Sequence, residues 1–332
     1  MGHGSGWQGV PGSGNLALDQ SAPLPVTVIG GYLGAGKTTL VNRLLRQADG
    51  LRLAVLVNEF GELPIDADLI ESRDENVINI AGGCVCCSYG SDLIAALKDI
   101  EHLDTPPDHL LIEASGVALP DSIAQSVGLI EHYAVDGIIV LADAETVRER
   151  GTDRYLSDTI ERQLDVADVI LLNKVDLPAP DALAATRSWL NEACTEARVI
   201  ETENAAVSLP VVLGSRLGAG MLPIHHRHNA PHAEHQAAIL SVGYRVDPGL
   251  LVQSLADPKH DLIRSKGFVR GLDGKIYAVQ TVGRRQSISP ATRPPEAIGK
   301  IVCIRSNGAI DLDSLEAALA RSGTKPAVGD QP

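Results

Sequence analysis

Three cysteines stand within four consecutive positions of this 332-residue chain, as Cys84, Cys86 and Cys87. Thiols at positions i and i+2 of a strand share a face, so all three converge only if the chain turns, and Gly82 and Gly83 permit a turn. Converging thiolates form a soft site for Zn²⁺, Cu⁺ or tetrahedral Co²⁺. Three ligands leave one coordination position open, as a metal that must leave requires. Buried inert thiols and a redox pair of Cys84 with Cys87 are the alternatives.

The other two cysteines and the histidines add little to this site. Cys194 and Cys303 are isolated, and we expect them in the protein core. Five of the ten histidines lie in the segment "HHRHNAPHAEH", residues 225–235. Such a tract can gather metal at low affinity, but a solvated linker with incidental histidines explains it equally well.

The segment "GYLGAGKT" has the spacing of a P-loop at the junction of a predicted strand and helix. Its backbone N–H groups surround phosphates, while Lys37 reaches the β and γ phosphates and Thr38 places its hydroxyl on Mg²⁺. The residues expected to bind phosphate are Gly31, Gly34, Ala35, Gly36, Lys37, Thr38 and Thr39.

A second polar motif, "NKVD", ends a predicted buried strand with Asn173, Lys174 and Asp176. A carboxylate at Asp176 can accept both N–H donors on the Watson-Crick edge of guanine, whereas adenine offers one donor and a mismatch. An unmade pairing at a buried polar site costs a few kcal/mol, which is enough to select GTP. A simple polar strand end is the alternative.

Acidic residues follow two further predicted strands. Glu113 ends the strand "HLLIE", where it can orient a Mg²⁺-bound water, and Gly116 lets a backbone N–H approach the γ phosphate. Glu59 and Glu62 follow the strand "LAVLV" in a segment that we interpret as a nucleotide switch. Asp66 and Asp68 lie further along the same segment, which otherwise reads as an acidic surface loop.

Composition excludes several classes of partner. The net charge is -14 and aromatic residues make up 3%, so the chain lacks the basic clusters and stacking surface that nucleic acid requires. The amino terminus does not resemble a secretory signal, and we find no apolar segment long enough to cross a membrane. We therefore expect a cytoplasmic protein without nucleic-acid or membrane partners, whose cysteines are kept reduced.

Near-continuous apolar runs alternate with amphipathic helical patterns, which predicts a doubly wound, mainly parallel α/β sheet. A second set of strands and two helical stretches predicts a smaller α+β domain after the histidines. The expected organisation is a disordered tail over residues 1–24, a P-loop domain over 25–220, a His-rich linker over 221–236, an α+β domain over 237–322 and a tail over 323–332.

Taken in order, "GGYLGAGKTTL", "VNEFGE", "GGCVCC", "EASGVALP" and "NKVDL" resemble the CobW-type metal-handling GTPases, relatives of the HypB and UreG nickel chaperones. The resemblance covers roughly residues 25–322. It implies that Cys84, Cys86 and Cys87 bind the transferred metal and that Glu113 replaces the usual Walker B aspartate. Val57 stands where some relatives carry a further glutamate, which removes one possible ligand.

These motifs together predict a GTP-dependent metallochaperone for Zn²⁺ or Co²⁺ that uses Mg²⁺ and GTP hydrolysis to control delivery to a client metalloprotein or metal-insertion enzyme. Lys37, Glu59, Glu62 and Glu113 are the catalytic candidates. Hydrolysis is expected to be slow without a partner, because no arginine finger is evident. A nucleotide-sensing protein with a static zinc site is the main alternative, and Asp176 disfavours a small-molecule kinase.

Overall fold

The computed structural model describes residues 23–48, 50–57, 77–81, 91–194, 197–214, 236–243, 245–291, 297–305, 310–319 and 323–324. Among them, no helix is both apolar enough and long enough to reach across a lipid bilayer.

The first sheet of the described residues has seven strands in the order β3-β2-β4-β1-β5-β6-β7, and all of its pairings are parallel. Its central strands are buried along almost their whole length, which explains the near-continuous apolar runs in the sequence. The doubly wound prediction is confirmed. The strands are β1 Leu24–Gly31, β2 Leu53–Val57, β3 Val77–Ala81, β4 His109–Glu113, β5 Tyr133–Asp143, β6 Val169–Asn173 and β7 Arg198–Thr202.

Helices cover both faces of this sheet, and the sheet separates two apolar cores. One core contains Leu97, Ile123 and Leu164 from helices on one face, and the other contains Leu40 and Val212 from the opposite face. The helices are α1 Lys37–Gln47, α2 Ser91–Glu101, α3 Pro120–Gly128, α4 Val147–Thr152, α5 Ser157–Asp165, α6 Pro180–Ala193 and α7 Leu209–Leu213.

The second sheet is antiparallel, with the order β12-β11-β10-β13-β8. Helices α8 Pro248–Ala256 and α9 Leu312–Leu319 contribute Leu251 and Leu315 to a core on one of its faces. Its strands are β8 Gln236–Ser241, β10 Leu262–Arg270, β11 Ile276–Val282, β12 Arg285–Pro290 and β13 Lys300–Arg305, and a separate pair joins β9 Arg245–Val246 to β14 Gly323–Thr324.

The structure changes several details predicted from sequence. Strand β12 was not expected, because every residue after Arg285 in this edge strand is exposed and the segment shows no apolar pattern. Leu24 begins β1, Gln236 begins β8, and Gly323 and Thr324 pair with β9, while the predicted limits of the domains and tails stay predictions.

The second sheet packs its other face against the first domain. Ile263, Val282, Val302 and Ile304 share one core with residues of α1 and α7. Beside this apolar contact, the buried Arg264 guanidinium donates to the Asp136 carboxylate at 2.6 Å and to the Val212 carbonyl at 2.9 Å. The two sheets are therefore joined by a fully desolvated ion pair as well as by apolar side chains.

The same interface carries further polar contacts at the amino ends of the parallel strands. Gln280 donates to the other oxygen of Asp136 at 2.6 Å, and Arg285 donates to Asp168, just before β6, at 2.7 Å. Burial acts to raise the pKa of Asp136, but Arg264 outweighs it with help from His109 and Lys266, so the pKa lies below its ordinary value. The stability that this carboxylate contributes is present above its unfolded pKa and is lost as the pH falls through its folded pKa.

We expect Arg264→Met to lower the free energy of unfolding by about 3–5 kcal/mol, because it leaves Asp136 charged and buried without its main partner. Arg187→Met is the matched control, since Arg187 pairs with Glu201 on the exposed surface and should contribute less than about 1 kcal/mol. Urea denaturation of both variants measures the difference. Equal losses of stability would contradict the assigned role of the buried pair.

Candidate nucleotide and metal site

The phosphate loop joins the end of β1 to the start of α1, as the sequence predicts. Gly34, Ala35 and Gly36 form its turn, and Thr39 lies in the first turn of α1. Gly36 has a φ of 106°, and a Cβ atom there would lie 2.6 Å from the side-chain nitrogen of Asn173. Only glycine fits this position. The loop delivers the positive end of α1 and its first N–H groups to one point, which suits an anion such as phosphate.

Lys37 lies inside this loop rather than in solvent. Lys37 is only 8% exposed, and its ammonium donates to the Gly31 carbonyl at 2.9 Å. A second carbonyl, that of Tyr32, lies 3.4 Å away. The ammonium is thus held by the loop that the sequence assigns to phosphate, where a charged donor can serve the β and γ phosphates.

Thr38 and Glu113 come together beside the loop. The Thr38 hydroxyl donates to the Glu113 carboxylate at 2.9 Å, and Glu113 is 2% exposed. Mg²⁺ prefers oxygen ligands and is usually bound by one or two carboxylates together with phosphate oxygens. A hydroxyl and a buried carboxylate next to the phosphate loop fit that ion.

Strand register places three chain segments at the same edge of the sheet. Val57 at the end of β2 lies opposite both Ala81 at the end of β3 and Glu113 at the end of β4. The acidic segment begins directly after Val57, and the cysteine segment begins directly after Ala81. The acidic segment therefore begins next to the strand that carries Glu113, and the cysteine segment begins one strand further along the same edge.

Asn173 connects the two nucleotide motifs through its buried amide. The amide nitrogen donates to the Ala35 carbonyl of the phosphate loop at 2.9 Å. The amide oxygen accepts from the Thr202 hydroxyl at 3.2 Å and from the Ala205 N–H at 2.7 Å. Asn173 thus acts through the protein, by tying the phosphate loop to the segment that follows β7.

The other two residues of this motif lie at the surface beside it. The Lys174 ammonium pairs with the Asp143 carboxylate at the end of β5, at 2.7 Å. Asp176 is exposed at the carboxyl end of β6, and none of the hydrogen bonds among the described residues occupies its carboxylate. This placement allows Asp176 to meet a base that enters from solvent.

Gly116 packs directly on the phosphate loop. A Cβ atom at this position would lie 2.5 Å from a methyl carbon of Leu33 and 2.7 Å from its backbone nitrogen. The phosphate loop therefore approaches the backbone of Gly116 closely, and a larger residue at this position would push the two apart.

Sequence reasoning missed three side chains that support this site: Asp143, Arg150 and Gln163. Arg150 on α4 donates to the Leu33 carbonyl at 3.1 Å, and its guanidinium lies 4.8 Å from the centre of the Tyr32 ring. An arginine does contact the phosphate loop, although none was evident in the motifs. For Gln163 a signal existed, because this amide lies between Ile160 and Leu164 on the apolar face of α5.

Several predicted residues lie outside the described residues. They are Glu59, Glu62, Asp66 and Asp68 of the acidic segment, Cys84, Cys86 and Cys87 of the cysteine segment, and the histidines between positions 225 and 235. Within the described part of the chain, no cluster of three or more metal-binding side chains occurs.

Cys194 and Cys303 are buried free thiols, which confirms the prediction for both. Burial, with a smaller effect of Asp165, raises the pKa of Cys194 to about 11. Burial raises the pKa of Cys303 to about 12. Because metal ligation requires a thiolate, these two thiols are poorly suited to hold a metal at neutral pH.

Both folded regions of the chain match known protein families. Residues 25–201 match the family model for the CobW/HypB/UreG nucleotide-binding domain, and residues 236–323 match that for the cobalamin synthesis protein cobW C-terminal domain. A zinc chaperone CobW from a Sinorhizobium species is 30% identical over 79% of this chain and 86% of its own length. A zinc chaperone CobW from Pseudomonas aeruginosa is 32% identical over 81% of this chain and 83% of its own.

Among solved structures, the zinc(II)-bound YjiA GTPase from E. coli aligns with 91% of this chain and 99% of its own, at 24% identity and a TM-score of 0.44. The family models together extend over both folded regions, and the two relatives align along most of their lengths. The chain belongs to the CobW/HypB/UreG family.

Proposed function

We propose that this protein is a GTP-dependent metallochaperone of the cytoplasm. It binds Zn²⁺ or Co²⁺ through Cys84, Cys86 and Cys87, and it hydrolyses GTP to GDP and phosphate to control metal delivery to a client metalloprotein or metal-insertion enzyme. Two relatives named zinc chaperones support zinc as the first choice of cargo.

The observation that carries this proposal is the common row formed by Val57, Ala81 and Glu113. Neighbouring strands lie about 4.8 Å apart, so the cysteine segment starts roughly 10 Å from the carboxylate beside the phosphate loop. The acidic segment starts between them. The acidic segment, which we propose to become ordered when GTP binds, therefore begins between the nucleotide site and the metal site.

The phosphate end of the site would work through charge and position. Lys37 and the N–H groups of the loop hold the phosphate oxygens. Thr38 and Glu113 would hold Mg²⁺, which supplies neutralisation of the charge that develops on the phosphates. Glu59 or Glu62 orients the attacking water, and Gly116 contributes a backbone N–H toward the γ phosphate.

Nucleotide exchange would then control the metal. With GTP bound, the acidic segment becomes ordered and closes the thiolate site, whose fourth position is left for the client. After hydrolysis the contacts to the γ phosphate are lost, the segment loosens, and the metal is released. Coupling between the two sites is reciprocal, so metal binding must change GTP affinity by the same factor.

Asp176→Ala should lower the affinity for GTP at least tenfold and leave ATP affinity unchanged, because the variant loses an acceptor for the two N–H donors of guanine. Fluorescence titration with both nucleotides measures the ratio. Asp181→Ala, which removes another exposed carboxylate at the start of α6, is the matched control. An unchanged preference for GTP in Asp176→Ala would exclude its role in base selection.

Replacement of Cys86 and Cys87 by serine should abolish tight binding of Zn²⁺ and Co²⁺ while nucleotide binding persists, because a serine hydroxyl is a poor substitute for a soft thiolate. Isothermal titration calorimetry with each metal provides the measurement. Cys194→Ala removes a buried thiol elsewhere and should bind metal as the wild type does. Retained affinity in the double variant would refute the site.

Metal affinity should differ at least fivefold between the complexes with GDP and with a non-hydrolysable GTP analogue, because the γ phosphate orders the segment next to the cysteines. Competition with a chelator in the nucleotide-free, GDP and analogue states measures this difference. Identical affinity in all three states would favour a static zinc site and end the chaperone proposal.

A further inference from the structure

Gln163 is buried on the apolar face of α5, with 2% of its surface exposed. Its amide nitrogen donates two hydrogen bonds, to the Gly116 carbonyl at 3.1 Å and to the Ala118 carbonyl at 2.8 Å. A polar amide among apolar side chains is costly unless its donors are satisfied, and here both serve one loop. The side chain therefore holds the loop that follows Glu113.

This loop is a tight turn whose peptide planes can be followed from its hydrogen bonds. The Ala118 N–H donates to the Ser115 carbonyl at 3.0 Å, which closes the turn over Gly116 and Val117. Because a trans peptide is planar, the Gly116 N–H points away from the Ser115 carbonyl and thus out of the turn. Among the backbone hydrogen bonds of the described residues, neither Gly116 nor Val117 acts as a donor.

The same pair of helices also holds the phosphate loop. Helix α4 packs against α5 and carries Arg150, which donates to the Leu33 carbonyl. Leu33 in turn contacts Gly116 so closely that a side chain there would clash with its backbone. Helices α4 and α5 therefore hold both loops: Arg150 on α4 contacts the phosphate loop, and Gln163 on α5 contacts the turn.

We propose that Gln163 is a positioning residue for the γ phosphate: it fixes the turn so that the outward N–H of Gly116 faces the terminal phosphate of GTP. This inference rests on the proposed function, because it assumes that GTP is the bound nucleotide. GDP has no γ phosphate, so its binding does not need the contact that this turn offers. Gln163 thus contributes to GTP binding and hydrolysis and contributes little to GDP binding.

The test is Gln163→Met, which keeps the length of the side chain and removes both N–H donors. Affinities for GDP and for a non-hydrolysable GTP analogue are measured with Mg²⁺, together with kcat and KM for GTP. We expect GDP affinity within twofold of the wild type, and roughly tenfold losses in analogue affinity and in kcat, because two hydrogen bonds that orient the turn are removed.

Gln47→Met is the matched control. Gln47 also holds a backbone segment through two hydrogen bonds, donating to the Val207 carbonyl at 3.1 Å and accepting from the Leu209 N–H at 3.0 Å. It lies at the far end of α1 from the phosphate loop. The ratio of analogue to GDP affinity should therefore stay at the wild-type value in this variant.

An unchanged ratio in Gln163→Met, or an equal loss of affinity for both nucleotides, would overturn the proposal. Should this variant bind no GDP, Gln163→Leu fills the same apolar face and is judged by the same ratio, with GDP binding as its measure of folding. Failure of the proposed function is recognised separately, since the wild type itself would then show neither GTP hydrolysis nor a preference between GDP and the analogue.

Discussion

The parallel register of β2, β3 and β4 is the constraint on which the site depends. In a parallel sheet all carboxyl ends lie at one edge, so the residues after Val57, Ala81 and Glu113 must emerge side by side. A register slip of one residue would also turn every side chain of the slipped strand to the other face of the sheet. The apolar cores on both faces therefore fix the alignment of Val57, Ala81 and Glu113, and with it the points at which the acidic and cysteine segments begin.

The second sheet is attached away from this edge. Asp136 and Asp168 lie near the amino ends of β5 and β6, and the basic partners Arg264 and Arg285 come from the second sheet. A buried ion pair adds little net stability over apolar packing, but it strongly disfavours any docking that leaves one charge unpaired. The pairs thus specify how the two sheets meet.

Sequence and structure agree where a motif or an apolar pattern carries the information. The run "HLLIEAS" predicted both the buried strand β4 and the placement of Glu113 at its tip, and Thr38 lies within hydrogen-bond distance as the P-loop spacing implies. Such positions can be predicted because strands β4 and β6 are apolar and each ends at its functional residue. Pattern alone failed for β12, since an exposed edge strand satisfies its backbone on one side and needs no apolar side chains.

The supporting side chains were harder to foresee, because their roles depend on contacts between distant segments. Asn173 was expected at the nucleotide, yet its amide joins Ala35 to Ala205 across the site. Gln163 lies 47 positions from the carbonyl of Gly116 that it holds. The spacing of residues along the chain does not indicate such contacts. A polar residue on the buried face of an amphipathic helix does indicate one, because a buried polar group must be hydrogen-bonded. Its partner here is the loop that it supports.

Control by a nucleotide also suits the chemistry of the cargo. Zn²⁺ binds most nitrogen, oxygen and sulfur sites more tightly than Co²⁺, so three thiolates do not by themselves choose the delivered metal. In the proposed mechanism the three thiolates bind the metal, and the presence of the γ phosphate raises their affinity for it. A ligand shifts an equilibrium only by its difference in affinity for two states. In the proposed mechanism the γ phosphate supplies this difference, and Arg150 and Gln163 fix the two loops that would face it by holding the carbonyls of Leu33 and Gly116.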